Sequence, residues 1–404
     1  MFDRKVWPAL ILASLGYFVD IYDLILFSIV RVPSLRDLGL SGDALMNDGL
    51  LLLNLQMAGM LIGGIFFGIL GDRRGRLSVL FFSILLYSVA NFLNGFVESV
   101  TSYAVLRFLA GIGLAGELGA GITLVSELLP KEKRGYGTTI IASVGVSGAL
   151  LAWVVAENLN WRYAYFIGGG MGMALLFLRI GVLESTMFDK IKSHSSVQRG
   201  NFLQLFKSKE RILKFVACIA VGAPLWYVIG LLITLSPEFA KVLEVQGEIE
   251  AGRAVFYSYA GLIFGDIASG LISQWLQSRK KSVLIFLLST LVTNALYFFL
   301  RGLTVGQFYT LCFAMGIAVG YWAMFVTISA EQFGTNLRAT VATSTPNFVR
   351  GSVVLITALF AFLKGYISMW ASGLTVGVIV MLISFWGYWN IQETFHKDLD
   401  FLEE

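Results

Sequence analysis

The residues with the clearest chemical potential are six charged side chains that lie inside long apolar stretches. A charged group that faces hydrocarbon costs roughly 2.5–3.5 kcal/mol on insertion scales, so such groups must face a polar cavity or one another. Ion binding, proton transfer and recognition of a charged substrate are the chemistries that they permit. The six residues are Asp20, Asp23, Arg107, Glu117, Asp266 and Arg350.

The elements that must position these side chains follow from the composition of the chain. Of its 404 residues, 57% are hydrophobic and only 14% are charged, which excludes a water-soluble fold of this size. Apolar stretches of about 20 residues, enough for a helix to cross the hydrocarbon core, recur along the whole sequence. We therefore predict an all-α polytopic membrane protein. Its twelve spans, numbered in chain order, are residues 6–31, 49–70, 77–96, 103–126, 135–157, 162–182, 213–236, 254–277, 281–301, 305–330, 338–363 and 366–390.

Basic residues indicate how the spans are oriented. Twenty of the 30 Lys and Arg residues fall in loops or tails on the side of the N-terminus, seven on the opposite side and three within spans. The positive-inside rule then places both termini in the cytoplasm, and in a bacterial host the membrane is the inner membrane. Span 1 is too long for a signal peptide and contains Asp20 and Asp23, so we expect it to stay uncleaved.

Several classes of function lack support in the sequence. Cys218 and Cys312 both lie within spans and provide neither a disulfide framework nor metal-ligand spacing. Phosphate-binding loops, nucleophile elbows and zinc motifs are missing, so we predict no enzyme activity, no metal and no cofactor. Basic loops that face anionic membrane lipids explain the net charge of +4, and nucleic-acid binding is not needed to account for it.

One polar segment divides the chain. Residues 183–212 predict a cytoplasmic linker between an N-terminal bundle of six spans, residues 1–182, and a C-terminal bundle with a short tail, residues 213–404. Charged pairs support this division, since a Glu and an Arg seven residues apart follow both span 4 and span 10. A repeat of this kind is how transporters place a substrate site between two bundles. The two pairs are Glu127 with Arg134 and Glu331 with Arg338.

The loop between spans 2 and 3 carries a short basic motif, GILGDRRGRLSVL, from Gly68 to Leu80. It resembles the signature of the major facilitator superfamily, with Leu77 in place of a commonly basic residue. The matching loop of the second half, around Arg279, keeps the positive charge but lacks the Asp and the Gly. The resemblance implies twelve transmembrane helices in two pseudo-symmetric six-helix bundles, a monomer and a substrate path between the bundles.

Within that superfamily, two segments are most similar to the metabolite:proton symporters. They are Asp20-Ile21-Tyr22-Asp23-Leu24 in span 1 and the stretch from Arg107 to Gly119 in span 4. The resemblance implies that an acid of span 1 and an arginine of span 4 couple transport to protons.

We assign Asp20, Asp23 and Arg107 to proton coupling, with Asp23 as the proton acceptor. Asp20 and Asp23 are three residues apart and share one face of a helix. Asp23 lies about 12 Å and Arg107 about 6 Å from the outer ends of their spans, within reach of each other. The alternative is a fixed ion pair that joins the two spans. His194 and His396 lie outside every span, so carboxylates must carry any proton.

A substrate site is predicted near the middle of the membrane. Arg350 lies twelve residues into span 11, close to Pro346, and a cation at that depth suits an anionic substrate. The alternative is that Arg350 neutralises Asp266 of span 8. Aromatic residues of spans 7 and 10 could line the same cavity or could simply pack. The candidate substrate-binding residues are Glu117, Tyr227, Asp266, Tyr321, Asn347 and Arg350.

Charged residues at the inner ends of the spans could act as a conformational latch. Such charges can hold the outward-open state and release it when the bundles move; the alternative is that they anchor helix ends at lipid headgroups. The latch candidates are Gly68, Asp72, Arg73, Gly75, Arg76, Glu127, Arg134, Glu331 and Arg338.

These patterns together predict a secondary active transporter that imports a small organic anion with protons by alternating access. Two alternatives stay open at this point: a proton-independent facilitator or exporter of sugars or drugs, and a transport-inactive membrane sensor. Loss of pH dependence would favour the facilitator, and ligand binding without flux would favour the sensor.

Overall fold

The computed structural model describes residues 7–74, 76–117, 134–186 and 202–395, and these residues are almost entirely helical. Helices suit apolar spans because a helix satisfies its backbone N–H and C=O groups within the segment. Nine helical stretches of the described residues are long and apolar enough to cross a membrane. Large apolar side chains such as Phe177, Trp275 and Leu355 are exposed on the outside, where lipid would cover them.

The described residues supply all or part of each predicted span, and most helices run past the predicted apolar limits. Spans 1 to 6 are Trp7–Asp37, Gly42–Arg74, Arg76–Asn94, Val100–Leu114, the pair Arg134–Val146 and Gly148–Asn158, and Trp161–Thr186. Spans 7 to 12 are Lys209–Tyr227, Ala251–Trp275, Arg279–Phe299, the pair Val305–Val319 and Trp322–Glu331, Thr335–Lys364 and Met369–Asn390. Shorter elements are the 3₁₀ helix Phe202–Phe206, the π-helix Val228–Ile233 and the helix Ser236–Val242.

Three spans are irregular near their middle. Span 5 is interrupted at Ser147, and span 7 contains Pro224 and continues as the π-helix. Span 10 breaks at Gly320, with φ −76° and ψ 56°, and at Tyr321, with φ −125° and ψ 25°. Breaks of this kind free backbone groups, and in membranes they occur where the chain is buried in protein or lines a cavity.

The two bundles are built alike. Gly59 and Gly63 of span 2 lie directly against the backbone of span 4, and Gly261 and Gly265 of span 8 lie in the same way against span 10. A Cβ atom at any of the four would collide with a backbone carbonyl oxygen, so these glycines allow the close approach of the helices. The backbone partners are Phe108, Ile112, Phe313 and Ile317.

Spans from different bundles also meet. Span 2 packs against span 11, and span 5 packs against span 8. We call the end of the molecule at which span 1 begins the proximal end, and the end at which span 1 finishes, at Asp37, the distal end. Between these ends, the facing spans surround a central cavity.

Candidate functional site

A cavity lies between the bundles, with about 270 Å³ of empty space that includes its open side. Spans 1 and 5 contribute from the first bundle, and spans 7, 8, 10 and 11 contribute from the second. Most of its lining is aromatic or aliphatic, and the irregular regions of spans 5, 7 and 10 border it. The lining residues are Tyr17, Ile21, Val146, Leu225, Trp226, Tyr259, Leu262, Trp322 and Arg350.

Among these lining residues, Arg350 is the one that carries a charge. It is 1% exposed, and its Nη2 atom lies 3.5 Å from Oδ2 of Asp20 in the other bundle. Its guanidinium carbon lies 5.8 Å from the centre of the Trp322 ring. In the described part of the chain, Nε and Nη1 have no hydrogen-bond partner. Arg350 therefore joins the bundles while two of its nitrogens remain available for a ligand.

The ion pair of Arg350 differs from the predicted alternative, in which this arginine neutralises Asp266. Asp266 instead accepts a hydrogen bond from the backbone N–H of Ala323, at 3.0 Å from Oδ1. Similar depth along two helices is not sufficient for contact, because the rotation of each helix decides where its side chains point.

Asp20 and Asp23 do not share one polar environment, although they lie on the same side of span 1. Asp20 meets Arg350 across the interface, whereas Asp23 is fully buried in the first bundle, where its polar neighbours include Asn91 and Arg107. Within the described residues, both carboxylate oxygens of Asp23 lack a hydrogen-bond partner. The two acids, which share one face of span 1 as their spacing predicts, thus belong to two different sites.

Arg107 is held in place by groups other than Asp23. Its Nη1 donates to Oδ1 of Asn91 at 3.1 Å. Its guanidinium carbon lies 5.4 Å from the ring centre of Phe27 and 5.7 Å from that of Tyr165. No Arg107 nitrogen comes within 4.0 Å of the Asp23 carboxylate. The fixed ion pair that was the alternative to proton coupling is thus not formed here, and the coupling role of these residues stays a prediction.

Glu117, a predicted substrate ligand, is engaged inside the first bundle. Its carboxylate forms a buried ion pair with Arg179 of span 6, in which Nη1 donates to Oε2 at 3.0 Å. Nη2 of Arg179 also donates to the carbonyl of Leu12 at 3.4 Å. Gly16 of span 1 faces this pair, and a side chain there would collide with it. Arg179 was missing from the sequence-based candidates, although its position within an apolar span was a sufficient signal.

Two tyrosines predicted to bind substrate point away from the cavity. The hydroxyl of Tyr227 donates to the carbonyl of Gly373 at 2.8 Å, and that of Tyr321 donates to the carbonyl of Val221 at 2.8 Å. Their neighbours Trp226 and Trp322 line the cavity instead. Adjacent residues of a helix face different directions, so the tryptophans and the tyrosines cannot share one surface.

Asn347 also connects the bundles, outside the lining of the cavity. Its side-chain nitrogen donates to the carbonyl of Ala115 in span 4 at 2.9 Å and to that of Thr343 at 3.2 Å. Gly64 of span 2 packs against its side chain. We predicted that the Asn347 side chain binds substrate, whereas in this structure its amide group joins span 11 to span 4.

Ion pairs hold the bundles together at the distal end. Arg31 is fully buried, and its Nη2 donates to Glu238 at 2.7 and 2.9 Å and to the carbonyl of Thr234 at 3.2 Å. Sequence analysis missed Arg31, which lies at the predicted limit of span 1, because its partners are more than 200 residues away in the chain. Two more pairs cross the distal end with longer or more exposed contacts, Glu157–Arg253 at 3.0 Å and Asp43–Lys364 at 3.5 Å.

Most of the predicted latch residues, or their side chains, lie outside the part of the chain that the structure describes. Gly75 and Glu127 lie outside the described residues, and the side chains of the latch residues in spans 2, 3 and 5 are likewise outside them. Glu331 accepts from the Thr394 hydroxyl at 2.6 Å and lies 3.5 Å from Nε of Arg279. Arg338 donates to the carbonyl of Phe333 at 3.4 Å. The latch residues of spans 2, 3 and 5, whose side chains lie outside the described part, are Gly68, Asp72, Arg73, Arg76 and Arg134.

Glu393, which follows span 12, was not predicted and caps the start of span 9. Its carboxylate accepts from the hydroxyl of Ser278 and from the backbone N–H groups of Arg279, at 2.9 Å, and Lys280, at 3.1 Å. Burial acts to raise the pKa of Glu393, but hydrogen bonds from Ser278 and from backbone N–H groups outweigh it and lower the pKa below its usual value. The segment after span 12 thus fastens the proximal end of the second bundle.

A comparison with protein families matches residues 13–356 to the model described as Major Facilitator Superfamily. The chain belongs to this superfamily. The family membership confirms the predicted resemblance, the all-α fold of two six-helix bundles and the prediction that the protein is a transporter and not an enzyme. It is an integral, multi-pass membrane protein that transports small metabolites.

Individual relatives agree with this assignment. A Haemophilus influenzae protein named "Putative metabolite transport protein" is 29% identical, over 88% of this chain and 90% of its own. A Bacillus subtilis protein named "Putative niacin/nicotinamide transporter" is 24% identical, over 84% of each chain. The structure of a proton:xylose symporter bound to 6-bromo-6-deoxy-D-glucose has a TM-score of 0.73, with 17% identity, and the match covers 99% of this chain and 98% of the symporter. At that identity the structural likeness speaks for the fold alone.

Proposed function

We propose that this transporter imports a small organic anion together with protons, by alternating access of the central cavity. The observation that carries the proposal is Arg350, the charged residue of the cavity lining, which has two guanidinium nitrogens without a partner among the described residues. Each of these nitrogens can donate a charge-assisted hydrogen bond to a carboxylate oxygen. The site therefore suits a substrate that bears one carboxylate.

The side chains that line the cavity limit the class of possible substrates further. Tyr17, Trp226, Tyr259 and Trp322 offer flat apolar surfaces with one hydrogen-bonding group each, and the indole N–H groups of the two tryptophans have no partner among the described residues. A sugar would leave most of its hydroxyl groups unpaired there, whereas the ring of an aromatic or cyclic acid could pack against the aromatic side chains. Niacin, named for the Bacillus subtilis relative, is an acid of this kind.

Binding of such an anion would act on the interface between the bundles. The substrate carboxylate competes with Asp20 for Arg350, because both would use the same guanidinium group. Once displaced, Asp20 loses its partner while the bundles lose a contact at their centre. Asp23, with Arg107 nearby, serves as the proton acceptor that couples the cycle to the proton gradient.

The orientation follows from the basic loops. The proximal end, with both termini, faces the cytoplasm, and the membrane is the inner membrane of a bacterium. The distal ion pair of Arg31 with Glu238 then closes the outer side. The protein acts as a monomer surrounded by membrane lipids.

Uptake into proteoliposomes tests the proposal, with nicotinate and its neutral amide nicotinamide as a matched pair and xylose as a sugar. Nicotinate should accumulate only under an inward proton gradient, and the neutral compounds should not. Gradient-independent equilibration of nicotinamide or xylose would instead identify a facilitator, and binding without flux would identify a sensor.

Two variants separate substrate binding by Arg350 from proton coupling by Asp23. Arg350→Gln removes charge-assisted hydrogen bonds of about 1.5–3 kcal/mol, so the KM for nicotinate should rise about 10- to 150-fold. Asp23→Asn should abolish accumulation but preserve nicotinate exchange. Matched controls are Arg36→Gln and Asp37→Asn, which change exposed residues of the same types. Concentrative uptake by Asp23→Asn would show that the acceptor is wrongly assigned.

A further inference from the structure

Asp266 of span 8 is a buried acid without an arginine partner among the described residues. It is 1% exposed, and no described Lys or Arg nitrogen lies within 4.0 Å of its carboxylate. In the part of the spans that the structure describes, each of the other buried acids has an arginine as ion-pair partner or close neighbour. These neighbours are Arg350 for Asp20, Arg107 for Asp23 and Arg179 for Glu117.

Asp266 faces the start of the second helix of span 10. Oδ1 accepts from the N–H of Ala323 at 3.0 Å, which is one of the backbone donors that a helix start leaves unpaired. The N-cap residue of this helix, Tyr321, makes no side-chain capping bond. Asp266 thus takes the place of a cap from a neighbouring span. Its second oxygen, Oδ2, is buried and has no hydrogen-bond partner in the described structure.

Charged and titratable groups around Asp266 are few. Tyr17 of span 1 is close enough to interact electrostatically with Asp266, and also with Asp20 and Arg350. Span 10 contributes the backbone N–H groups of Trp322 and Ala323, and its acid, Glu331, lies at the other end of that helix beside Arg279. Span 9 places Arg279 against span 8 at Ser273, about 10 Å farther along that helix. In the described part of span 5, the acid Glu157 lies at the distal end, where it pairs with Arg253.

We propose that Asp266 is a second proton-binding site of this transporter and that its proton controls the break in span 10. An isolated carboxylate is unfavourable in a low-dielectric interior, and a proton on Oδ2 removes that cost. The proton comes from water on one side of the membrane and returns to water on the other.

Protonation also changes the bond to the helix. A carboxylate anion is a stronger acceptor for a helix start than a neutral carboxyl group. The proton therefore loosens the first turn of the second helix of span 10. That turn carries Trp322, which lines the cavity and stacks over Arg350. Protonation at Asp266 and substrate binding at Arg350 are coupled through this side chain.

The test uses Asp266→Asn, which keeps the acceptor oxygen for Ala323 and resembles the protonated acid. Infrared difference spectra of the full-length protein, recorded between low and high pH, report the carbonyl stretch of protonated carboxyl groups without any transport. We expect one such band to disappear in Asp266→Asn and to persist in Asp37→Asn. The affinity for nicotinate, measured by binding, should vary less with pH in Asp266→Asn than in the wild type, by about tenfold; the pH dependence that remains belongs to Asp23.

The coupling to transport rests on the proposed function, and the two can fail separately. If Asp266→Asn leaves both the infrared spectra and the pH dependence of binding unchanged, the proton site is refuted. A response of Asp266 to sodium ions instead of protons would refute it as well. If the band is lost in Asp266→Asn but the wild type takes up no protons with nicotinate, the proton site stands and the proposed symport fails.

Discussion

Replacing Glu117 by Gln should strongly destabilise the first bundle. Glu117 and Arg179 have exposed side-chain fractions of 1% and 5% and form an ion pair between spans 4 and 6. The substitution removes the charge of one partner with little change of shape. Arg179 then stays buried with an uncompensated charge and keeps only its neutral acceptors, such as the Leu12 carbonyl.

The expected size of the effect follows from this burial. Removal of one partner from a buried ion pair costs about 3–5 kcal/mol, because the remaining charge lacks both water and a counterion. The exposed pair Glu157–Arg253, with side-chain exposures of 36% and 45%, should contribute no more than about 1 kcal/mol. At about 2 °C per kcal/mol for a large chain, Glu117→Gln should lower the unfolding temperature by about 6–10 °C.

The two cysteines provide the assay. Cys218 and Cys312 are free and buried, so a thiol-reactive fluorescent dye should label them only when the protein unfolds. Heating in detergent then yields an apparent unfolding temperature for the wild type, for Glu117→Gln and for the control Glu157→Gln. A second series with nicotinate tests the binding role, since the ligand should still raise the unfolding temperature of Glu117→Gln.

One pattern would refute this reasoning. If Glu117→Gln and Glu157→Gln differ by less than about 2 °C, the buried pair does not stabilise the bundle as argued. The double variant Glu117→Gln with Arg179→Gln should recover part of the loss, because it leaves no unpaired charge. If nicotinate raises the unfolding temperature of the wild type and of Glu157→Gln but not of Glu117→Gln, Glu117 belongs to the substrate site.

Two further predictions concern the ends of the molecule. Glu238→Gln should weaken closure of the distal end by about 1–2 kcal/mol and raise its open fraction about 5- to 30-fold. Labelling of Ser28→Cys by a water-soluble thiol reagent should then become faster. An unchanged labelling rate would contradict the role of the Arg31–Glu238 pair in closing the distal end. Glu393→Gln should be less stable than the wild type at neutral pH, because a carboxylate with a lowered pKa stabilises the folded state when ionised. This difference in stability should vanish as the pH falls through the folded-state pKa of Glu393. Tryptophan fluorescence during thermal unfolding measures it. A difference that persists in acid would exclude the carboxylate as its source.

The spans and their charged residues could be predicted from the sequence because both are local properties. Membrane crossing depends on the length and hydropathy of one segment, and the cost of a buried charge depends on that segment alone. The same rule covers Arg179, which lies inside span 6 and was overlooked. Arg31 was harder to find, since it lies at a predicted helix end and its partner Glu238 is far away in the chain.

Partners of the charged residues could not be predicted, because pairing depends on the rotation and packing of helices. Arg350 and Asp266 have similar depth, but Arg350 pairs with Asp20, 330 residues away in the chain. Trp226 and Tyr227 are neighbours in sequence, yet one lines the cavity and the other bonds to span 12. A rotation of about 100° per residue separates such side chains, and the apolar sequence around them carries no signal of the direction chosen.

The sequence by itself determined that this chain crosses a membrane many times, in two similar halves, with acids and arginines buried in its spans. Membrane crossing and the buried charges follow from the free energy of moving each segment and each charge into hydrocarbon, and the two halves follow from the polar linker and the repeated Glu–Arg pair. The tertiary structure decided which acid meets which arginine, that Asp266 has no arginine partner among the described residues, and that Arg350 faces an aromatic cavity. These features arise from contacts between distant spans, whose geometry is set by close glycine packing and by breaks in the helices.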